Sequence, residues 1–243
     1  MKRISILFAV LGMTCLTACM DGTQQKTDES LADSSAFKIA LMPIKESEPF
    51  IIADSCGIFD SLGVHVRLVP FESAMDADTA FTNGNIDILV TDSLKAAFLN
   101  GNPDSLHILL HDTLNLSLMT SKTARIKDVK NLKEKIVAVT RNSALDYFAD
   151  KMMLSAKLKP EELNRPQINN LSLRASMLDQ QQYDGAILPE PLATECEKNG
   201  AKRVVTAEKL GIGRLLTIVV RKKFYNEHKD DIDRIMEAYR QAR

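Results

Sequence analysis

The chain has 243 residues, of which 45% are hydrophobic and 26% charged, with a formal net charge of -1. These proportions are those of a folded globular protein, and the length accommodates one large domain or two lobes of about 100 residues each. A charge this close to neutral, with no basic stripe and no aromatic ladder, excludes nucleic acid as the expected partner.

The first element is a targeting segment. Met1-Lys2-Arg3 supplies a positive start, and Ile4 to Met13 is an apolar run too short to span a bilayer. The run leads into Leu16-Thr17-Ala18-Cys19, which resembles the bacterial lipobox, where small residues admit a peptidase and the cysteine thiol takes a lipid. Residues 1–18 are therefore expected to be a lipoprotein signal peptide, with Cys19 lipidated. The protein is then exported and anchored on the periplasmic or cell-surface side of a membrane, each buried acyl CH₂ contributing about 0.8 kcal/mol. Asp21 to Ser35 has almost no apolar residue, so residues 19–36 read as a lipidated flexible tether. Of the remaining cysteines, Cys56 and Cys196 are expected as free, packed thiols, because a bridge between lobes would lock them together.

Phe37 to Met42 is the first predicted strand. Glu48-Pro49 opens a helix with proline tolerated in its first turn, and Gly57 closes it. A strand at Val64 to Val69 follows. Ser73-Ala74-Met75-Asp76 matches a capping box and starts a second helix. The strand Ile86 to Val90 and a helix from Ser93 to Asn100 complete a β-α-β-α-β-α rhythm, which predicts a mostly parallel sheet with helices on both faces. His107 and His111 have metal-like spacing, but the run reads as a strand without a third ligand, so no metal site is expected.

Leu116 to Thr120 begins the second half. Ile126 to Lys135 is a charged connector, Ile136 to Thr140 a strand, and Ser143 caps a helix whose Leu145, Phe148, Ala149, Met152 and Ala156 share a face. Ser172 to Leu178 forms a short helix. Leu215 to Val220 is a β-branched strand, and Ile232, Ile235, Met236 and Tyr239 mark a final amphipathic helix.

Two stretches share one design. Asn85-Ile86-Asp87-Ile88-Leu89-Val90-Thr91-Asp92-Ser93 and Tyr183-Asp184-Gly185-Ala186-Ile187-Leu188-Pro189-Glu190-Pro191 each place an Asp, an apolar run, then an acid where a strand ends. Ligands of open α/β sheets bind outside the carboxyl ends of the strands. Helix N-termini gather anions through unpaired N–H groups. The candidate ligand-binding residues are therefore Ser73, Asp92, Ser93, Asn142 and Ser143 at such ends. Arg141 adds a charge-assisted donor, and Glu190 and Glu48 add acceptors. Donors and acceptors together suit a zwitterionic or amine-bearing ligand, or a hydrogen-bond-donor heterocycle.

The succession Ala53, Gly57-Ile58-Phe59, Gly63-Val64-His65-Val66 and Asn83-Gly84-Asn85-Ile86-Asp87, with Ile126 to Ala138 and then Asp184 to Pro191, is similar to the SsuA/THI5-like (NMT1-like) periplasmic solute-binding proteins. That resemblance implies a two-lobed periplasmic-binding-protein-like (type II) α/β fold. Lobe I would comprise residues 37–115 and 218–243, and lobe II residues 116–217. It also implies a receptor, expected as a monomer, that captures a small organic solute and delivers it to an ABC permease. Members bind alkanesulfonates, taurine, nitrate or thiamine-pyrimidine precursors. The cysteine-rich motif and histidine pattern of the eukaryotic pyrimidine synthases are missing from this sequence. No His–acid or Cys–His arrangement points to a catalytic residue, and no cofactor is implied. An enzyme on the same fold, or a lipoprotein adaptor for a protein partner, are the alternatives.

Overall fold

The computed structural model describes residues 36–101 and 105–243. The expected signal peptide, Cys19 and the tether up to residue 35 lie outside the described residues.

Long apolar runs become strands buried on both faces, which is what α/β sheets covered by helices require. The first sheet has the order β2-β1-β3-β9-β4, formed by β1 (Phe37–Leu41), β2 (Val66–Pro70), β3 (Ile88–Asp92), β4 (Leu106–Asp112) and β9 (Leu216–Arg221). Every residue of β3 is buried, whereas β2 and β4 at the edges are partly exposed. The second sheet has the order β6-β7-β5-β8, from β5 (Leu116–Thr120), β6 (Val137–Ala138), β7 (Gly185–Pro189) and β8 (Lys202–Thr206). The chain crosses between the sheets once after β4 and again before β9, which straddles the 217/218 boundary drawn from sequence.

The expectation of mostly parallel sheets needs correction. β1 pairs parallel with β2 and β3, and β6 with β7, but β9 runs antiparallel to β3 and β4, and β5 antiparallel to β7 and β8. The physical reason is the crossover. A strand entering a sheet from the other half arrives from the opposite end, and β9 and β5 are those strands.

Nine helices lie among the described residues: α1 (Glu48–Ser55), α2 (Ile58–Ser61), α3 (Ala74–Thr82), α4 (Ser93–Leu99), α5 (Ala144–Ser155), α6 (Leu171–Asp179), α7 (Leu192–Lys198), α8 (Lys222–Glu227) and α9 (Lys229–Gln241). Gly57 takes the left-handed conformation (φ 68°) between α1 and α2, where a β-carbon would be strained. α9 buries Ile232, Ile235, Met236 and Tyr239, one stripe of a 3.6-residue period, and the Tyr239 ring meets Phe50 of α1 at 4.7 Å. The strand at His107 and His111 forms on the sheet edge. His107 stacks on Tyr225, and His111 Nδ1 lies 3.0 Å from Thr217 Oγ1.

Cys56 and Cys196 are free. Cys196 is packed as expected, but Cys56, the residue that ends α1 before the turn at Gly57, is exposed.

Candidate functional site

Both strand-acid stretches fold alike. Asp87 accepts the N–H of Lys38 on the neighbouring β1 at 2.9 Å, and Asp184 accepts that of Ile136, just before the neighbouring β6, at 2.9 Å. At the other end of each strand, the acid caps the helix that follows. Asp92 accepts from Leu94 N and Lys95 N at 3.0 and 2.9 Å, and Glu190 from Thr194 N at 3.1 Å.

These strand ends converge on a cleft between the two sheets. Its inner cavity measures about 50 Å³, room for a few waters at roughly 10–15 Å³ each. The walls are mostly apolar, from Met42, Val90, Leu114, Leu145, Leu171 and Leu216, with Thr91, Asp92, Thr140 and Ser143 as polar points. It continues through Lys95, Thr140 and Asn169 into an outer chamber of about 300 Å³, walled also by Arg141, Asn142 and the exposed Phe98.

The cleft is contracted. Leu171 N donates to Glu72 O at 2.9 Å, Ser172 Oγ to Glu72 Oε2 at 2.5 Å, and Ser73 bridges to Asn170 across it. A solute larger than a few waters therefore requires these contacts to part.

Asp92 is the most buried acid in the cleft, 7% exposed, and burial raises its pKa against the backbone hydrogen bonds that lower it. Thr91 Oγ1 is buried beside it with no partner, an unmet donor and acceptor of the kind a ligand satisfies. Lys95 is neutralised by Asp78 at 2.6 Å, and Arg141 lies 3.4 Å from Asp146.

The candidates from sequence divide. Asp92 and Ser143 line the inner cavity, and Arg141 and Asn142 the outer chamber. Ser143 caps α5 through Leu145 N at 3.2 Å, as expected. Ser73 does not cap α3: its hydroxyl is buried and unpartnered while its main chain is held by the bridge to Asn170. Ser93 turns away from the cavity to Thr217 Oγ1 at 2.8 Å. Glu48 lines a different cavity, near the crossover, beside Glu46 and Asp112.

Glu190 is drawn aside. Its Oε1 accepts from Arg203 Nη1 at 2.5 Å and its Oε2 from Thr194 Oγ1 at 2.7 Å, so its carboxylate lines neither chamber. Burial would raise its pKa, but the Thr194 and Arg203 bonds outweigh burial and hold it below the ordinary value.

Sequence reasoning passed over Thr91, Thr140 and Arg174. The signal for Arg174 was present: Leu171, Arg174, Ala175 and Leu178 form the buried face of α6, so a charge stands in an apolar stripe. No group of three or more His, Cys, Asp or Glu suited to a metal ion occurs among the described residues.

The sheet order and double crossover are those of a type II two-lobed binding-protein fold. The chain belongs to the NMT1/THI5-like family, whose profile matches residues 45–243. A search of curated protein sequences gives no match. Among solved structures, the ligand-binding component of an ABC-type import system from Staphylococcus aureus, with zinc bound, superposes with a TM-score of 0.74 at 17% identity, covering 86% of this chain and 73% of that one. The alkanesulfonate-binding protein SsuA from Xanthomonas axonopodis pv. citri, bound to MOPS, gives 0.74 at 14% identity over 87% and 74%. The nitrate-binding protein NrtA from Synechocystis PCC 6803 gives 0.73 at 12% identity over 86% and 61%.

Proposed function

We propose that this protein is an extracytoplasmic solute-binding lipoprotein that holds a small organic solute between its two lobes and presents it to an ABC importer. The observation that carries the reading is the contracted cleft at converging strand ends, with a buried carboxylate, Asp92, and an unpartnered hydroxyl, Thr91, facing one cavity. Family membership and the neighbours named above support the receptor class.

The solute we infer carries a hydrogen-bond donor or amine for Asp92 and Thr91 and an apolar part for the inner walls. An anionic or polar end would lie towards Thr140, Ser143, Arg141 and Asn142. An amino-sulfonate such as taurine has both poles, and an aminopyrimidine of the thiamine-precursor type has the donors. Nitrate, which has no group for Asp92, is expected to bind more weakly than such a solute.

No His or Cys lines either chamber of the cleft, which supports binding without turnover over the enzyme alternative. The anchor at Cys19 rests on the sequence of residues 1–19 alone. Incubation of the purified protein with candidate solutes tests the class: stoichiometric retention of unchanged solute is expected, and conversion to a product would overturn the receptor reading.

A further inference from the structure

Arg174 is a fully buried guanidinium, 0% exposed, and no acid pairs with it among the described residues. Its Nε donates to Ile168 O and its Nη1 to Ile187 O, both at 2.9 Å, and its Nη2 reaches Ile168 O and, at 2.5 Å, Thr140 Oγ1. Burial pushes its pKa down to about 10, still well above neutrality, so the charge is present at working pH. Neutral acceptors satisfy the N–H groups but supply no counter-charge. Taking a charge out of water is costly unless an opposite charge arrives with good geometry.

The two cations that line the outer chamber are already matched. Lys95 has Asp78, and Arg141 has Asp146, which Arg165 also holds at 2.7 Å. The uncompensated positive charge of the cleft is therefore behind its wall, and Thr140 stands between it and the cavity. Thr140 lines both chambers. Its oxygen accepts from Arg174, so its single proton is left to donate, and no acceptor for that proton occurs among the described residues. A hydroxyl whose oxygen is bound by a cation is a stronger donor, because chained hydrogen bonds polarise one another.

We propose that Thr140, backed by Arg174, is the oxyanion-binding group of the cleft: its hydroxyl donates to a carboxylate, sulfonate or phosphonate oxygen, and that anion is the missing counter-charge of the buried guanidinium. This assignment rests on the reading of the cleft as a solute site. It gives the cleft a positive pole at Thr140 and a negative one at Asp92. Arg174 is a positioning residue, since it acts through the hydroxyl.

Methanesulfonate is the probe, with dimethyl sulfone as its neutral control. The full protein is compared with Thr140→Val, which keeps shape and removes the hydroxyl, and Thr140→Ser, which keeps the hydroxyl. Arg174 itself is left intact because its loss would unfold the segment it ties together. By calorimetry and thermal midpoint, methanesulfonate is expected to bind the wild type and Thr140→Ser alike, and Thr140→Val at least tenfold more weakly, while dimethyl sulfone distinguishes none of them. Absence of methanesulfonate binding to the wild type, or undiminished binding to Thr140→Val, overturns the proposal. If amine-bearing solutes without an oxyanion still bound in that case, the receptor reading would survive. If methanesulfonate bound as expected but the candidate solutes were converted to products, the oxyanion site would stand and the receptor reading would fall.

Discussion

Replacing Glu190 by alanine separates a structural role for this carboxylate from a ligand-binding one. Its two oxygens accept from Thr194 N, Thr194 Oγ1 and Arg203 Nη1 at 3.1, 2.7 and 2.5 Å. The side chains of Arg203 and Glu190 are 21% and 20% exposed, so their pair is only partly screened. Hydrogen bonds to charged groups contribute about 1.5–3 kcal/mol each when intact, but Arg203 keeps Glu197 and Ser117 after the substitution. A net loss of about 2 kcal/mol follows. For a chain of this size each kcal/mol moves the midpoint by roughly 2–4 °C, so a fall of roughly 4–8 °C is expected by differential scanning calorimetry. Solute affinity, measured where both proteins are folded, should change by less than about threefold. An unchanged midpoint together with a large loss of affinity would refute the structural assignment and return Glu190 to the ligand.

Asp92→Asn keeps a good helix cap, because asparagine and aspartate are about equal at that position, and relieves a buried charge. Stability is expected to hold or rise, while affinity for an amine-bearing solute falls by about 2 kcal/mol or more, roughly thirtyfold, in calorimetric titration; equal affinity would remove Asp92 from the site. The two acids should also differ in pH dependence. Glu190 is held below its ordinary 4.5, so the stability it contributes is full above that pH and lost as the pH falls through its lower folded value. Asp92 is raised above 3.8 and binds its proton more tightly when folded, so wild type should gain on Asp92→Asn as the pH falls from the raised value towards 3.8. Urea denaturation of the three proteins from pH 7 to 3 reads both slopes, and parallel profiles would contradict the assignment. Cys19→Ser is expected to move the protein from the membrane to the soluble fraction, and membrane retention of that variant would overturn the anchor.

Most strands and helices were legible because burial leaves a period or a run. β3 and β9 are continuous apolar segments, and α5 and α9 carry a 3.6-residue stripe. β8, which reads Lys202-Arg203-Val204-Val205-Thr206, was missed because it is a short edge strand with charges at one end. α7 was missed because its seven residues carry four polar ones and follow a proline. Both acids were legible as carboxylates at strand ends, but only Asp92 was read beside a helix start, and the helix whose Thr194 N–H bonds Glu190 went unrecognised. What the pattern could not show is that Arg203, in the unrecognised β8, pulls Glu190 aside, while the Lys95 ammonium nearest Asp92 pairs with Asp78 instead. The Arg174–Thr140 contact was equally hidden, because it joins residues 34 apart in the chain. Only the oddity of an arginine on an apolar face was visible.

Calorimetric titration of the purified protein, with and without the substitution Ala74→Phe, tests the central claim most directly. The solutes are amino-sulfonates, amino-carboxylates, alkanesulfonates, aminopyrimidines and nitrate. Ala74 lines the inner cavity at the start of α3, and a phenyl ring there fills a space of about 50 Å³. One-to-one binding of a solute with both a donor and an oxyanion or polar end is expected, and its loss in Ala74→Phe. Binding that persists undiminished with the cavity filled, or no binding by any solute to the folded wild type, would contradict it.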